Sequence, residues 1–339
     1  MPRFYRPYNK HFGNTDSVKK NMEDPKDKNP EGWVENPIAK KIRLYLESKT
    51  FRGLKGHSLY EIGRYFLRSL FMENLNVRAS SLSFNFFLAL FPALIFLLTL
   101  IAYLPYDGLK IQLMDQLSLI LPERSFKEIA ETISEILTKQ NSSLLSFGFF
   151  FTIYFASNAF HLLISSFNKR LVASTLVKQN WITIRGRAVF ITVLQTVLII
   201  VFLSLVTWAY QIETYMADNH WPLVSVYNFL VELLKYLLMM GLFLLAISSL
   251  YYFAPSKTDK WKFFTIGSFL ASALSIIATF GFTLYVNNFD SYNKIYGSIG
   301  AILALMVLIY INVFLVILGF ELNTSIDKAE IRQANKLRN

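Results

Sequence analysis

Cysteine is absent from this chain and histidine nearly so, and both shortages narrow the chemistry available to it. Without cysteine there are no disulfides, no thiolate nucleophile and no sulfur-ligated metal. The four histidines, His11, His57, His161 and His220, are scattered, with no closely spaced pair and no cluster of acids that would hold two metal ions. No Gly-rich phosphate loop of the Walker type occurs, which argues against an ATP-driven pump acting by itself. Met1–Thr50 lacks an apolar core, so no cleavable signal peptide is expected, and the first hydrophobic stretch is expected to serve as the insertion signal. No internal repeat stands out.

What is present is long hydrophobic runs. Six stretches, about 82–104, 144–166, 188–210, 228–253, 263–286 and 299–320, are each long enough for the about 20 residues that cross a hydrocarbon core of about 30 Å. Inside lipid each must satisfy its own backbone, so the expected fold is all-α, a six-span transmembrane bundle. Lys and Arg then orient it. With the first segment inside, inside segments hold 28 of the 34 Lys and Arg and outside segments hold five. Both termini are therefore expected in the cytoplasm. The net charge of +11 reads as topology and attraction to anionic headgroups, since the basic residues form no aromatic-interleaved patch for nucleic acid.

Residues 1–56 read as a largely disordered cytoplasmic tail, rich in Asn, Asp, Lys and Pro, with a short helix suggested from Ile38. The membrane domain is expected over 57–325, followed by a cytoplasmic tail, 326–339. His57–Arg78 carries Leu59, Ile62, Phe66 and Leu70 at helical spacing opposite Glu61, Arg64 and Arg68, the pattern of an amphipathic interfacial helix. The loop 105–143 is expected to form two short amphipathic helices. The first carries Leu109, Leu113, Leu117 and Ile120 on one face. The second opens with a capping box, Ser125-Phe126-Lys127-Glu128, and buries Phe126, Ile129, Ile133 and Ile136.

Polar side chains within spans cost free energy unless they find a partner or water, so they mark candidate sites. In the second span Tyr154, Asn158, His161, Ser165 and Asn168 fall on one face. Ser81 and Asn85 share a face of the first span, with Pro92 expected to kink it further on. Gln195 and Thr192 lie in the third span and Asn312 in the sixth, where Glu321 closes the inner end. Two readings stay open for Ser81, Asn85, Tyr154, Asn158, His161, Asn168, Gln195 and Asn312. They could line a polar cavity open to the cytoplasm, or they could be hydrogen-bonding glue between helices. Glu232 and Lys235, one turn apart, could form an outer gate or simply pair. The small residues of the fifth span, Gly267, Ser268, Ala271, Ser272, Ser275, Thr279 and Thr283, are expected to pack against another helix.

Ala79-Ser80-Ser81-Leu82-Ser83-Phe84-Asn85-Phe86-Phe87-Leu88-Ala89-Leu90-Phe91-Pro92 resembles the first-span signature of the YihY/BrkB family of bacterial inner-membrane proteins. Phe167-Asn168-Lys169-Arg170, Tyr251-Tyr252-Phe253-Ala254-Pro255 with Trp261-Lys262, Phe289 to Gly300, and Gly319-Phe320-Glu321-Leu322-Asn323 are similar to later family elements, in the same order. Phe84 stands where many members carry Tyr. The resemblance implies six spans in the bacterial inner membrane with both ends cytoplasmic, and no settled activity: members have been named virulence factors, suspected of moving lipids or envelope components, and once mislabelled ribonuclease BN.

The resulting expectation is a non-enzymatic, cofactor-free transporter or permease for a lipid or small amphipathic envelope component. Membrane lipids are its expected surroundings, and Tyr292 and Tyr296 are expected to close its outer end. The alternative is a scaffold or envelope-assembly factor that transports nothing. An intramembrane enzyme would need a nucleophile–base pair or converging metal ligands, which no spacing displays.

Overall fold

A computed structural model describes residues 59–72, 74–103, 114, 123–171, 175–177, 179–218, 224–258, 260–288 and 290–338, some by backbone alone. The tail 1–56, the helix suggested from Ile38 and the first helix expected after Leu104 lie outside these residues. The described residues form helices α1 (Leu59–Met72), α2 (Leu75–Tyr103), α3 (Glu123–Thr138), α4 (Ser142–Asn168), α5 (Trp181–Asp218), α6 (Val224–Phe253), α7 (Ile266–Asn288) and α8 (Asp290–Arg338). No strand occurs among them, only an isolated bridge between Leu176 and Lys257.

Among the described residues, five helices rather than the expected six are long and apolar enough to cross a bilayer: α2, α4, α5 over Trp181–Val201, α7 over Ile266–Tyr285 and α8 over Ile302–Ile331. The expected fourth span is where the count differs. α6 is helical over 30 residues; the apolar run described in it, Leu237–Phe253, begins where the side chains of Lys235 and Tyr236 lie outside the described residues.

Local sequence explains the breaks. Asn74 divides α1 from α2 with φ 44, a left-handed conformation that Asn tolerates better than other non-glycine residues. Its carbonyl accepts from the N–H groups of Val77 and Arg78, starting α2. Asn141 caps α4 by accepting from Leu144 N at 2.9 Å. α3 begins at Glu123, directly after Pro122, so Ser125 falls inside its first turn rather than at its cap. Ile133 and Ile136 are half-buried and Leu137 is buried, where α3 packs on α2.

The long helices pair as a closed ring: α2 with α4, α4 with α5, α5 with α6, α6 with α7, α7 with α8, and α8 back with α2. One end carries the linkers 169–180 and 254–265, together with α1, whose Ile62 packs on Ile326 and Ala329 of α8. It is called the basic end here for its Lys and Arg. The two linkers are stitched by Val177 N to Ser256 O (2.8 Å) and Thr258 N to Thr175 O (2.9 Å).

Packing at the basic end is tight. Phe167 stacks on Phe320 with centroids 3.7 Å apart, and Tyr251 and Trp261 meet Phe320 edge-on. α7 crosses α8 at Gly267 and Gly319: a Cβ on Gly319 would stand 2.6 Å from the Tyr251 hydroxyl, and one on Gly267 2.6 Å from Asn323 Oδ1. The small residues of α7 expected to pack do so, with Ser268, Ala271, Ser272 and Ser275 buried.

The opposite half is more open, although Thr99 and Ala102 of α2 and Leu137 of α3 are buried there. Residues 18 apart in a helix are five turns apart and share an azimuth, about 27 Å along the axis. Ala79 is 0% exposed and Leu97, on the same face of α2, is 51% exposed; Phe320 is 0% and Ile302 of α8 is 46%. The same reversal holds for Leu82 against Leu100, Ile247 against Phe229, Tyr251 against Leu233, and Asn323 against Leu305. These six positions of α2, α6 and α8 are covered at the basic end and uncovered at the other, so the ring splays along them as it leaves the basic end.

Candidate functional site

The densest polar cluster closes the basic end, and it centres on a charge in an apolar sequence. Glu321 follows Phe320 on α8 and is 0% exposed. Its Oε1 accepts from Arg78 Nη1 (2.8 Å) and Arg170 Nε (2.8 Å), and its Oε2 from Arg170 Nη2 (3.0 Å) and Ser69 Oγ (2.6 Å). Arg78 also donates to the Ser166 hydroxyl (2.8 Å) and carbonyl (3.2 Å). One carboxylate thus ties α1, α2, the end of α4 and α8 together. A carboxylate so deeply buried would be expensive alone; two guanidiniums and a hydroxyl occupying both oxygens offset that cost.

Two further clusters flank it. Asn168 Nδ2 donates to Ser256 Oγ (3.0 Å) while Ser256 N donates to Asn168 Oδ1 (2.8 Å). Ser256 Oγ also meets Gln179 Oε1 (2.9 Å) and Arg187 Nη1 (3.2 Å). Asp327 accepts from Lys257 Nζ and from Trp261 Nε1 (2.8 Å), pinning the 254–265 linker to α8. Asn323 accepts from Gly267 N (3.0 Å) and donates to Thr265 Oγ1 (2.9 Å), so the tight α7–α8 crossing is also hydrogen-bonded.

The polar residues singled out in the spans do not gather in one space. Asn158 Nδ2 donates to Asn85 Oδ1 (3.0 Å) on the α2–α4 seam, while Asn85 itself donates to the carbonyl of Ser81, whose side chain is exposed. Asn168 belongs to the linker cluster. Gln195 Nε2 donates to Ala246 O (3.1 Å) and Ser249 Oγ (2.8 Å) on the α5–α6 seam. Asn312 donates to Leu308 O (3.0 Å) and, at 3.4 Å, to Thr279 Oγ1 on the α7–α8 seam. Tyr154 is exposed, and the His161 ring lies 6.3 Å from that of Trp181. The amides therefore divide among the α2–α4, α5–α6 and α7–α8 seams and, for Asn168, the linker cluster. The side chains of Glu232, Lys235, Tyr292 and Tyr296 lie outside the described residues.

Arg78, Arg170 and Ser69 escaped sequence reasoning because their partner is 243, 151 and 252 residues away. Glu321 was legible, being a lone acid flanked by Phe320 and Leu322. Among the described residues no three His, Asp or Glu side chains come together as a metal site would need.

A profile of known proteins decides the family: the description virulence factor BrkB matches residues 66–339. The chain belongs to the virulence factor BrkB family. Among BrkB-like relatives, a ribonuclease-like protein YfkH of Bacillus subtilis is 29% identical over 267 residues, covering 78% of this chain and 95% of the relative. A UPF0761 membrane protein of Vibrio campbellii is 24% identical over 268 residues, 79% of this chain and 82% of the relative. One from Vibrio cholerae is 28% identical over 169 residues, covering 50% and 55%. No solved structure matches. The BrkB match spans α2 to α8, so the Glu321 cluster and the ring lie within the shared region, and the protein is an integral membrane protein of that family.

Proposed function

We propose that this BrkB-family chain is a non-enzymatic inner-membrane permease for a lipid or lipid-like envelope component. It would hold six spans, α6 completing the set, with the basic end and both termini in the cytoplasm. The observation that carries this reading is the ring's asymmetry. The end locked by Arg78, Glu321 and Arg170 is packed, whereas the faces of Leu97, Phe229, Ile302 and Leu305 are apolar and uncovered five turns away. An apolar splayed half suits an acyl chain better than a polar solute, and the Glu321 cluster acts as the closed gate beneath it. With the span amides divided among three seams and the linker cluster, the substrate is held by apolar contact rather than by an amide-lined cavity.

The experiment is reconstitution of the full chain in phosphatidylethanolamine–phosphatidylglycerol vesicles with a trace of NBD-labelled phosphatidylglycerol, read by dithionite quenching. Leaflet exchange should exceed that of protein-free vesicles and fall with Leu305→Trp, which fills the splayed half. The scaffold reading is favoured by the bonded amides. It takes over if exchange equals the protein-free rate for labelled phospholipids and Leu305→Trp changes nothing.

A further inference from the structure

On the α4–α5 seam, an arginine sits near the basic end with almost nothing to bind. Arg185 lies in the second turn of α5, within the apolar stretch Trp181–Val201. Its guanidinium carbon stands 5.3 Å from the centre of the Tyr154 ring. Its hydrogen bond to the chain, from Nη2 to the Tyr154 carbonyl, is 3.5 Å long. No acidic side chain pairs with it among the described residues. This contrasts with Arg78 and Arg170, which share Glu321, and with Arg187, whose Nη1 is taken up by the 254–256 linker.

A guanidinium offers five N–H donors, and an unpaired one inside a bilayer costs several kcal/mol unless it reaches an anion or the interface. The surroundings are amphipathic. Trp181, at the first position of α5, is 66% exposed, and Ile182 and Tyr154 are also exposed. The His161 ring faces Trp181, and its Nδ1 is buried without a hydrogen-bond partner. A Trp marks the headgroup level, apolar neighbours accommodate a chain, and an arginine just inside it is placed for a phosphate.

We propose that Arg185, with Trp181, Tyr154 and His161, forms a lateral binding site for the phosphate headgroup of an anionic membrane phospholipid. Arg185 donates to the phosphodiester oxygens, and Trp181 and Ile182 flank the first acyl carbons, with the His161 ring backing Trp181. Trp181, Ile182 and Tyr154 are exposed, so lipid reaches the site without passing through the protein, and the site stands whether or not the protein moves lipid.

The test uses the full chain purified in mild detergent, with phosphatidylglycerol or phosphatidylcholine titrated in and retained lipid counted by native mass spectrometry. Wild type should hold phosphatidylglycerol in preference to phosphatidylcholine. Arg185→Ala should weaken phosphatidylglycerol retention about tenfold, the scale of one charge-assisted contact. Arg185→Lys should recover part of it, and Lys260→Ala, a cation over the Tyr252 ring elsewhere at the basic end, should leave it unchanged. Should Arg185→Ala aggregate, Arg185→Gln and the wild-type headgroup preference decide. Equal retention by wild type and the Arg185 variants, or no preference between the two lipids, overturns the site. Displacement of phosphatidylglycerol by millimolar inorganic phosphate would show a free-anion site instead and equally overturn it.

Discussion

The two halves of the bundle are built from the same helices and nearly the same residue types, yet they are held in different ways. Around the basic end, the apolar side chains on faces such as those of Ala79, Leu82, Ile247 and Phe320 are covered, and the buried acids described there have partners: Glu321 with Arg78 and Arg170, Asp327 with Lys257. Five turns away the same azimuths carry Leu97, Leu100, Phe229 and Ile302, and they are uncovered. Within a bilayer apolar exposure costs little, because lipid tails are as apolar as leucine; helices there are held by close packing and polar contacts. The comparison teaches that the splayed half needs no protein partner to be stable, whereas the basic end depends on specific residues. Substitutions should therefore hurt in proportion to their nearness to the Glu321 cluster.

The largest effect is expected there. Glu321→Ala leaves two guanidiniums sharing a burial they cannot afford, and should lower stability by about 3–5 kcal/mol. Thermal unfolding of the purified chain would measure it, and a loss no greater than that of a surface variant would remove the cluster from its central place. Leu82→Ala, a cavity in the covered core, should cost about 2–5 kcal/mol. Gly319→Val drives side-chain atoms into Tyr251 and Ala271 and should cost about 1–3 kcal/mol, more if the α7–α8 crossing parts.

Smaller terms sharpen the contrast. A double-mutant cycle of Asn85→Leu and Asn158→Leu should return a coupling of about 0.6 kcal/mol, the usual worth of an interhelical hydrogen bond in a membrane. Leu100→Ala should change stability by no more than about 0.5 kcal/mol, although it removes the same atoms as Leu82→Ala on the same face. Equal losses for the two leucines would mean that the far half is packed as tightly as the basic end.

Much of the secondary structure was legible, and the reasons are physical. The span helices follow from apolar length, the α1 face with Ile62 from its spacing, and the close α7–α8 contact from the small residues around Gly267. The helix of the expected fourth span, α6, is present over 30 residues, but the side chains of Glu232 and Lys235 lie outside the described residues, so its crossing rests on apolar length alone. The polar residues were legible as residues but not as partners. Tyr154, Asn158, His161 and Asn168 share a face of α4, but that face is divided among an α2 seam, an α5 seam and the 254–265 linker. Periodicity fixes azimuth on one helix and says nothing of which helix stands opposite. Arg78 and Arg170 looked like orienting charges flanking spans, since nothing local reveals an acid more than a hundred residues away.

The most direct test of the splayed ring is photolabelling of the reconstituted chain with a phospholipid bearing a diazirine on its acyl chain, mapped by mass spectrometry. Faces buried at the basic end and repeated five turns away should differ: Leu97, Leu100, Phe229, Ile302 and Leu305 labelled, and Ala79, Leu82, Ile247 and Phe320 untouched. Labelling confined to outward faces such as those of Phe84 and Phe91, with Leu97, Leu100 and Leu305 protected, would contradict the account and leave a bundle closed along its whole length.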